Sequence, residues 1–223
     1  MKYLIRTKWW KWLTMAILVY VVIGGFLFQV PRLPILNETI RVLHFHVPMW
    51  FGMLFLFLAS VIHAIKYLST GKVQNDIMSS QLAVVGVVFG ILGMITGMFW
   101  ATFTWGEPWS SDPKQNASAI GLLIYFAYFI LRGSIQDEQQ RAKISAVYNV
   151  FAFAALIPLL FILPRMTDSL HPGNGGNPGF NAYDLDSNLR KVFYTAVLGW
   201  TLLGFWIATI KIRYKLLLEK MDD

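Results

Sequence analysis

Residues 82–103 read LAVVGVVFGILGMITGMFWATF, twenty-two consecutive positions without a charge. A helix that crosses a bilayer needs about 20 predominantly apolar residues, so this stretch reads as a span. Working outward from it, five further candidates appear at 12–30, 46–66, 117–132, 147–163 and 192–210, of which 117–132 and 147–163 are short. The composition agrees: 56% of the 223 residues are hydrophobic and only 14% are charged, against about 25% charged in soluble domains. The sequence therefore predicts an all-α, polytopic membrane bundle of six helices, with residues 1–223 forming one embedded unit and no separate soluble domain.

The charges set the expected orientation. Thirteen of the nineteen Lys and Arg fall on one side, in the N-terminal segment (Lys2, Arg6, Lys8, Lys11), the 66–81 and 132–146 connections and the C-terminal tail. Six fall on the other: Arg32, Arg41, Lys114, Arg165, Arg190 and Lys191. The positive-inside rule then predicts both termini in the cytoplasm and three outward loops, 31–45, 104–116 and 164–191. The net charge of +7 reads as topology rather than nucleic-acid binding. The basic N-terminus MKYLIRTKWWKW is followed by no small-residue cleavage site, so it reads as a first span rather than a removed signal peptide. The absence of cysteine excludes disulfides, thiolate ligands, a CxxC redox pair and a CxxCH haem-attachment site within this chain.

The outward loops are rich in Pro, Gly, Trp and His, most visibly in TWGEPWSSDPK (104–114) and PRMTDSLHPGNGGNPGF (164–180). Of the four histidines, His44 and His46 are two apart and so diverge on a helix. His63 lies 17 residues past His46, about 25 Å deeper at 1.5 Å per residue. His46 and His171 are thus the candidate pair of neutral imidazole ligands on one side. Zinc normally takes a third or fourth protein ligand, and Glu38, Glu107, Asp112 and Asp168 have no recognisable metal spacing. Haem fits the donor set better, since its ring fills four positions and leaves two axial sites. Trp105 and Trp109, four apart, can cover one face of a flat ring, and basic residues can pair with its propionates. Read from residue types alone, interface anchoring remains open for the tryptophans, and incidental interfacial placement remains open for each histidine.

These stretches resemble a known family. WGEPWSSDPK is similar to the tryptophan-rich signature of the haem-handling proteins of cytochrome c maturation, CcmC, CcmF and CcsA. RVLHFHVP (41–48) resembles the CcmC stretch ending in His-Val-Pro, and SLHPG (169–173) its Leu-His-x-Gly stretch. The order of the motifs, the six spans and the chain length also match CcmC. The resemblance implies a haem platform made by Trp105, Gly106, Trp109 and Asp112, with His46 and His171 as axial ligands of the haem iron. It further implies Arg41 and Lys114 as propionate partners. Haem b would be transferred rather than permanently held.

The implied partners are haem itself, a CcmE-like periplasmic chaperone, a CcmD-like small membrane protein and a CcmA/CcmB-like ABC transporter. The implied location is the bacterial inner membrane, with the working loops in the periplasm. The loop departs from the CcmC pattern at Ser111, where tryptophan is usual, and at Pro108, where an aromatic is usual. Its Asp-Pro-Lys is closer to CcsA. A CcsA-like subunit attaching haem directly to apocytochrome c is the alternative, although CcsA proteins carry further spans and histidines. A generic membrane subunit is a third reading. The four histidines are not placed to hold the two stacked haems of a quinol oxidoreductase.

Overall fold

A backbone in lipid must satisfy its hydrogen bonds internally, which leaves helices as the solution for charge-free runs such as 82–103. The computed structural model, which describes residues 7–32, 35–171 and 185–222, is helical throughout its regular parts, with no strand among the described residues. Helix α1 spans Trp9–Leu27. A short 3-10 segment at Asn37–Val42 leads into α2, Leu43–Thr70. Helix α3 runs Val73–Thr104, α4 Pro113–Ser134 and α5 Glu138–Ile157. A π segment at Pro158–Ile162 joins α5 to a short α6, Leu163–Met166, and α7 covers Ser187–Asp222. Six helical stretches are long and apolar enough to cross a membrane.

Five of the six stretches overrun the spans read from apolarity, whereas α1 is displaced from 12–30 to Trp9–Leu27, with the chain extended from Phe28. The 66–81 connection shrinks to a turn at Gly71, which caps α2 with a left-handed φ of 65°, the conformation glycine adopts without a Cβ clash. The 132–146 connection shrinks to residues 135–137. Charged residues extend the helices past the apolar core, and two of them enter it as a pair. The start signals are local: Asp112 caps α4, with Pro113 at its first position, and accepts from the Lys114 N–H at 2.8 Å; Asp137 caps α5 and accepts from the Gln140 N–H at 2.7 Å. Lys2 and Arg6, residues 33–34 of the 31–45 loop, and residues 172–184 of the 164–191 loop lie outside the described residues.

Helix α2 is the centre of the bundle and packs closely on α3. Glycines permit that approach, as is usual where no hydrophobic force separates helix from lipid. A Cβ on Gly86 would lie 2.5 Å from the Phe57 ring, and one on Gly52 would lie 2.6 Å from Phe89. Phe57 also stacks on Tyr125 of α4, with ring centroids 3.6 Å apart. Beside that stack is a buried polar cluster. The Asn149 amide donates to Ser60 Oγ at 2.7 Å and Ser79 Oγ at 3.0 Å, and the Tyr125 hydroxyl donates to Asn149 Oδ1 at 3.3 Å. Four helices are joined there by polar contacts in an apolar setting. Helix α1 lies at the periphery, against α7, where Trp10 meets Trp206 edge-on with centroids 6.4 Å apart. The described ends of α1 and α7 thus share one end of the bundle, and the tryptophan loop lies at the other.

Candidate functional site

His46 sits in the first turn of α2, two residues before Pro48, which lies inside the helix and has no N–H to give the His44 carbonyl. Its Nδ1 is 2.9 Å from the Gly93 carbonyl of α3 and 3.2 Å from Thr96 Oγ1. A carbonyl only accepts, so Nδ1 carries the proton and Nε2 keeps the lone pair that binds a metal. Gly97, one turn along α3, is required by the ring: a Cβ there would lie 2.6 Å from His46 Cε1. Trp100 and Trp50 stand edge-on to His46, with centroids 6.0 and 6.4 Å away.

His171 is held from the other side by Asp112. The Asp112 carboxylate is buried and has four donors. Oδ1 accepts from His171 Nδ1 at 2.8 Å and from the Lys114 N–H at 2.8 Å. Oδ2 accepts from the Ser169 hydroxyl at 2.9 Å and the Leu170 N–H at 2.7 Å. One side chain therefore caps α4 and clamps the 169–171 segment to it. Burial pushes the Asp112 carboxyl up, but the bonds from His171, Leu170 and Ser169 outweigh it and hold it well below the usual carboxylate range. With Nδ1–H given to an ionised carboxylate, Nε2 of His171 is again the nitrogen that keeps a lone pair. This carboxylate–histidine pairing fixes the orientation of the ring.

The tryptophan loop covers this pair. Trp105 ends α3, its N–H bonded to the Ala101 carbonyl at 2.7 Å, and meets His171 edge-on with centroids 4.8 Å apart. The helix stops there, so Trp105 and Trp109 are not a helical i,i+4 pair. Gly106 and Ser111 turn the chain with φ of 87° and 56°. Buried Gln115 then fixes the loop: its Oε1 accepts from the Ser110 N–H at 3.0 Å and the Ser110 hydroxyl at 3.1 Å, and its Nε2 donates to the Pro108 carbonyl at 3.2 Å.

His46 and His171 line the same cavity, of about 220 Å³, between α2, α3, the start of α4 and the π segment. Its walls are mainly apolar, with Trp50, Phe51, Met94 and Leu160 among them, and Lys114 and Gln115 stand at its polar edge. Of the residues singled out in the sequence, the structure brings His46, His171 and Lys114 into the cavity wall. Trp105 and Asp112 act on His171 from behind, while Gly106 and Trp109 belong to the loop. Arg41 is placed elsewhere. Its Nε donates to Glu38 at 2.7 Å and its Nη1 to the Phe28 and Gly25 carbonyls at 2.7 and 3.1 Å, which satisfies the open end of α1.

His44 points away from the cavity, and its carbonyl accepts from Trp200 of α7 at 3.2 Å. His63 meets Asn75 at 3.2 Å near the far end of the bundle. Sequence reasoning missed Gly93, Thr96, Gly97 and Gln115. The G-x-x-x-G spacing of Gly93 and Gly97 in an apolar run was an available signal; Gln115 carried none.

Fold and site together define a polytopic helical membrane protein with two oriented imidazoles at one end of the bundle, under an aromatic loop. The chain belongs to the CcmC family: the profile of the family described as heme exporter protein C matches residues 2–223. Among relatives, heme exporter protein C of Rhodobacter capsulatus is 24% identical over 156 residues, covering 68% of this chain and 62% of that protein. The Haemophilus influenzae protein of the same name is 20% identical over 183 residues, covering 82% of this chain and 74% of that protein. The cytochrome c biogenesis protein CcsA of Parasynechococcus marenigrum is 36% identical over 87 residues, covering 39% of this chain and 28% of that protein. The chain thus spans about three fifths of the Rhodobacter relative and about a quarter of the CcsA protein.

Proposed function

We propose that this protein works in cytochrome c maturation by holding haem between His46 and His171 and presenting it to a periplasmic chaperone of the CcmE type. One observation carries the reading: two imidazoles from distant parts of the chain line one apolar cavity, each with Nδ1 engaged and Nε2 available for iron. The names of the relatives, heme exporter protein C and CcsA, support haem handling as the task. Trp105, Gly106, Trp109 and Asp112 form the platform edge, and Lys114 is the propionate partner at the cavity rim. Haem b is cargo rather than a resident group. A CcmD-like small protein and a CcmA/CcmB-like transporter complete the system. The chain sits in the bacterial inner membrane with both termini cytoplasmic and the tryptophan loop in the periplasm.

The two ligands have unequal settings. His46 is buried within a helix and braced by Gly97. His171 is half-exposed, on a non-helical segment held chiefly by Asp112. Release therefore begins at His171, while His46 retains the ring until a recipient takes it. A test is transfer from the haem-loaded protein to a purified apo-chaperone. His171→Ala should load poorly and shed its haem to solvent, whereas a variant that transfers normally would defeat the reading.

The similarity to CcsA and the Asp-Pro-Lys wording of the loop support a second reading, direct attachment of haem to apocytochrome c. Restoration of holocytochrome c in cells lacking a CcmE-like chaperone would establish it. Complete dependence on the chaperone would dismiss it.

A further inference from the structure

At the opposite end of the bundle is a second and larger cavity, of about 1010 Å³, enclosed by the ends of α2, α3, α4, α5 and α7. Two of its lining residues form a bidentate ion pair: Arg132 Nη1 donates to Asp76 Oδ1 at 2.7 Å and Nη2 to Oδ2 at 2.5 Å. Both side chains are mostly buried, at 17% and 12% exposure. The Tyr128 hydroxyl is within hydrogen-bonding reach of Arg132 and Ser79. Leu68, Val84, Phe129 and Leu218 supply apolar wall. At the exposed rim are Lys143 and Lys215, and among the described residues neither has a carboxylate within 4.0 Å. Arg141 is paired with Glu138 at 2.8 Å, and Glu219 also lines the cavity, so the lining has one positive charge in excess.

Burying an ion pair is costly even when its geometry is good, and ionisable groups within spans usually mark a site. A lock between α3 and α4 alone would be closed over by packing. Here the pair instead borders an open cavity with an apolar wall and a cationic rim. We propose that this cavity binds an amphipathic anion, its apolar body against α3 and α4 and its phosphate or carboxylate head among Lys143, Lys215 and Arg132. An anionic phospholipid and a free porphyrin carrying two carboxylates share that chemistry. The inference does not depend on the two-histidine site.

Because the chain has no cysteine, a bimane on Gln139→Cys, an exposed lining residue, reports from this cavity alone. In nanodiscs, quenching by brominated phosphatidylglycerol is compared with that by brominated phosphatidylcholine. Haem is titrated separately into phosphatidylcholine discs, using a His46→Ala/His171→Ala background. Preferential quenching by the anionic lipid identifies a phospholipid site, and saturable quenching by haem identifies a porphyrin site. Either should weaken about thirtyfold in Lys143→Gln/Lys215→Gln, the scale set by two lysines beside an anionic headgroup. Arg132→Lys, which keeps the charge opposite Asp76 but loses the fork, should weaken it as well. Equal quenching by the two lipids without saturable haem quenching, or quenching unchanged in the lysine variant, overturns the proposal.

Discussion

Replacing Asp112 with Asn tests how the site is held. The carboxylate accepts four hydrogen bonds, two on each oxygen, from His171, Lys114, Ser169 and Leu170. An amide has one oxygen, so two of those donors would face an NH2 group. If the oxygen stays toward Lys114, helix α4 keeps its cap, and Ser169 and Leu170 lose their acceptor. In the other flip, His171 loses its partner and the cap is broken. Hydrogen bonds to a charged group contribute about 1.5–3 kcal/mol each, and a buried donor left unpaired costs about 1–3 kcal/mol. Either flip should therefore release the 169–171 segment at a cost of about 2–4 kcal/mol. Through the misoriented ligand, haem affinity should fall by about 10–100-fold, the range for loss of a partner behind a metal-binding histidine.

The assay is haem titration followed in the Soret band, with thermal unfolding measured alongside. The pH dependence provides a second readout. The Asp112 pKa is depressed on folding, so its stabilisation is fully present above the unfolded carboxylate value of about 3.9. As pH falls below that, the unfolded chain takes up a proton that the folded one refuses, and stability declines. Asp112→Asn should lack that acid-limb slope. Haem affinity within twofold of wild type, with an unchanged acid limb, would refute the clamp.

Gly97→Ala should reduce haem affinity about tenfold or more with helix content retained, because its Cβ would meet the His46 ring at 2.6 Å; titration and circular dichroism check this. Arg41→Ala should lower the melting temperature by an amount matching about 1–2 kcal/mol of lost bonds to the end of α1, leaving the Soret position unchanged. A selective loss of haem affinity there would instead make Arg41 a propionate partner. Asn149→Ala should destabilise by about 1–3 kcal/mol through the buried polar groups it strands, read by denaturant or thermal unfolding in detergent, without altering haem binding.

The fold class was legible because charge-free runs of span length leave few alternatives. The helix ends were harder to read. Asp76 and Arg132 look like loop charges until their pairing across 56 positions is known. The caps at Asp112-Pro113 and at Asp137 with Gln140 were readable locally and account for most of the overrun at α4 and α5. At the site, His46 and His171 could be singled out by side of the membrane and by motif. That Asp112 and His171, 59 positions apart, meet directly was not readable from spacing. The four-residue spacing of Trp105 and Trp109 misleads because α3 stops at Thr104, leaving the two tryptophans in a turn. The 3-10 segment that aims Arg41 at the end of α1 gave no periodic signal.

The most direct measurement is the absorption and low-temperature paramagnetic resonance spectrum of the protein purified from haem-replete membranes, beside its His46→Ala, His171→Ala and His63→Ala variants. A low-spin, bis-imidazole haem is expected in the wild type and in His63→Ala, with loss of that signature in the other two. A bis-imidazole spectrum that survives the combined His46→Ala/His171→Ala substitution would contradict the two-histidine site.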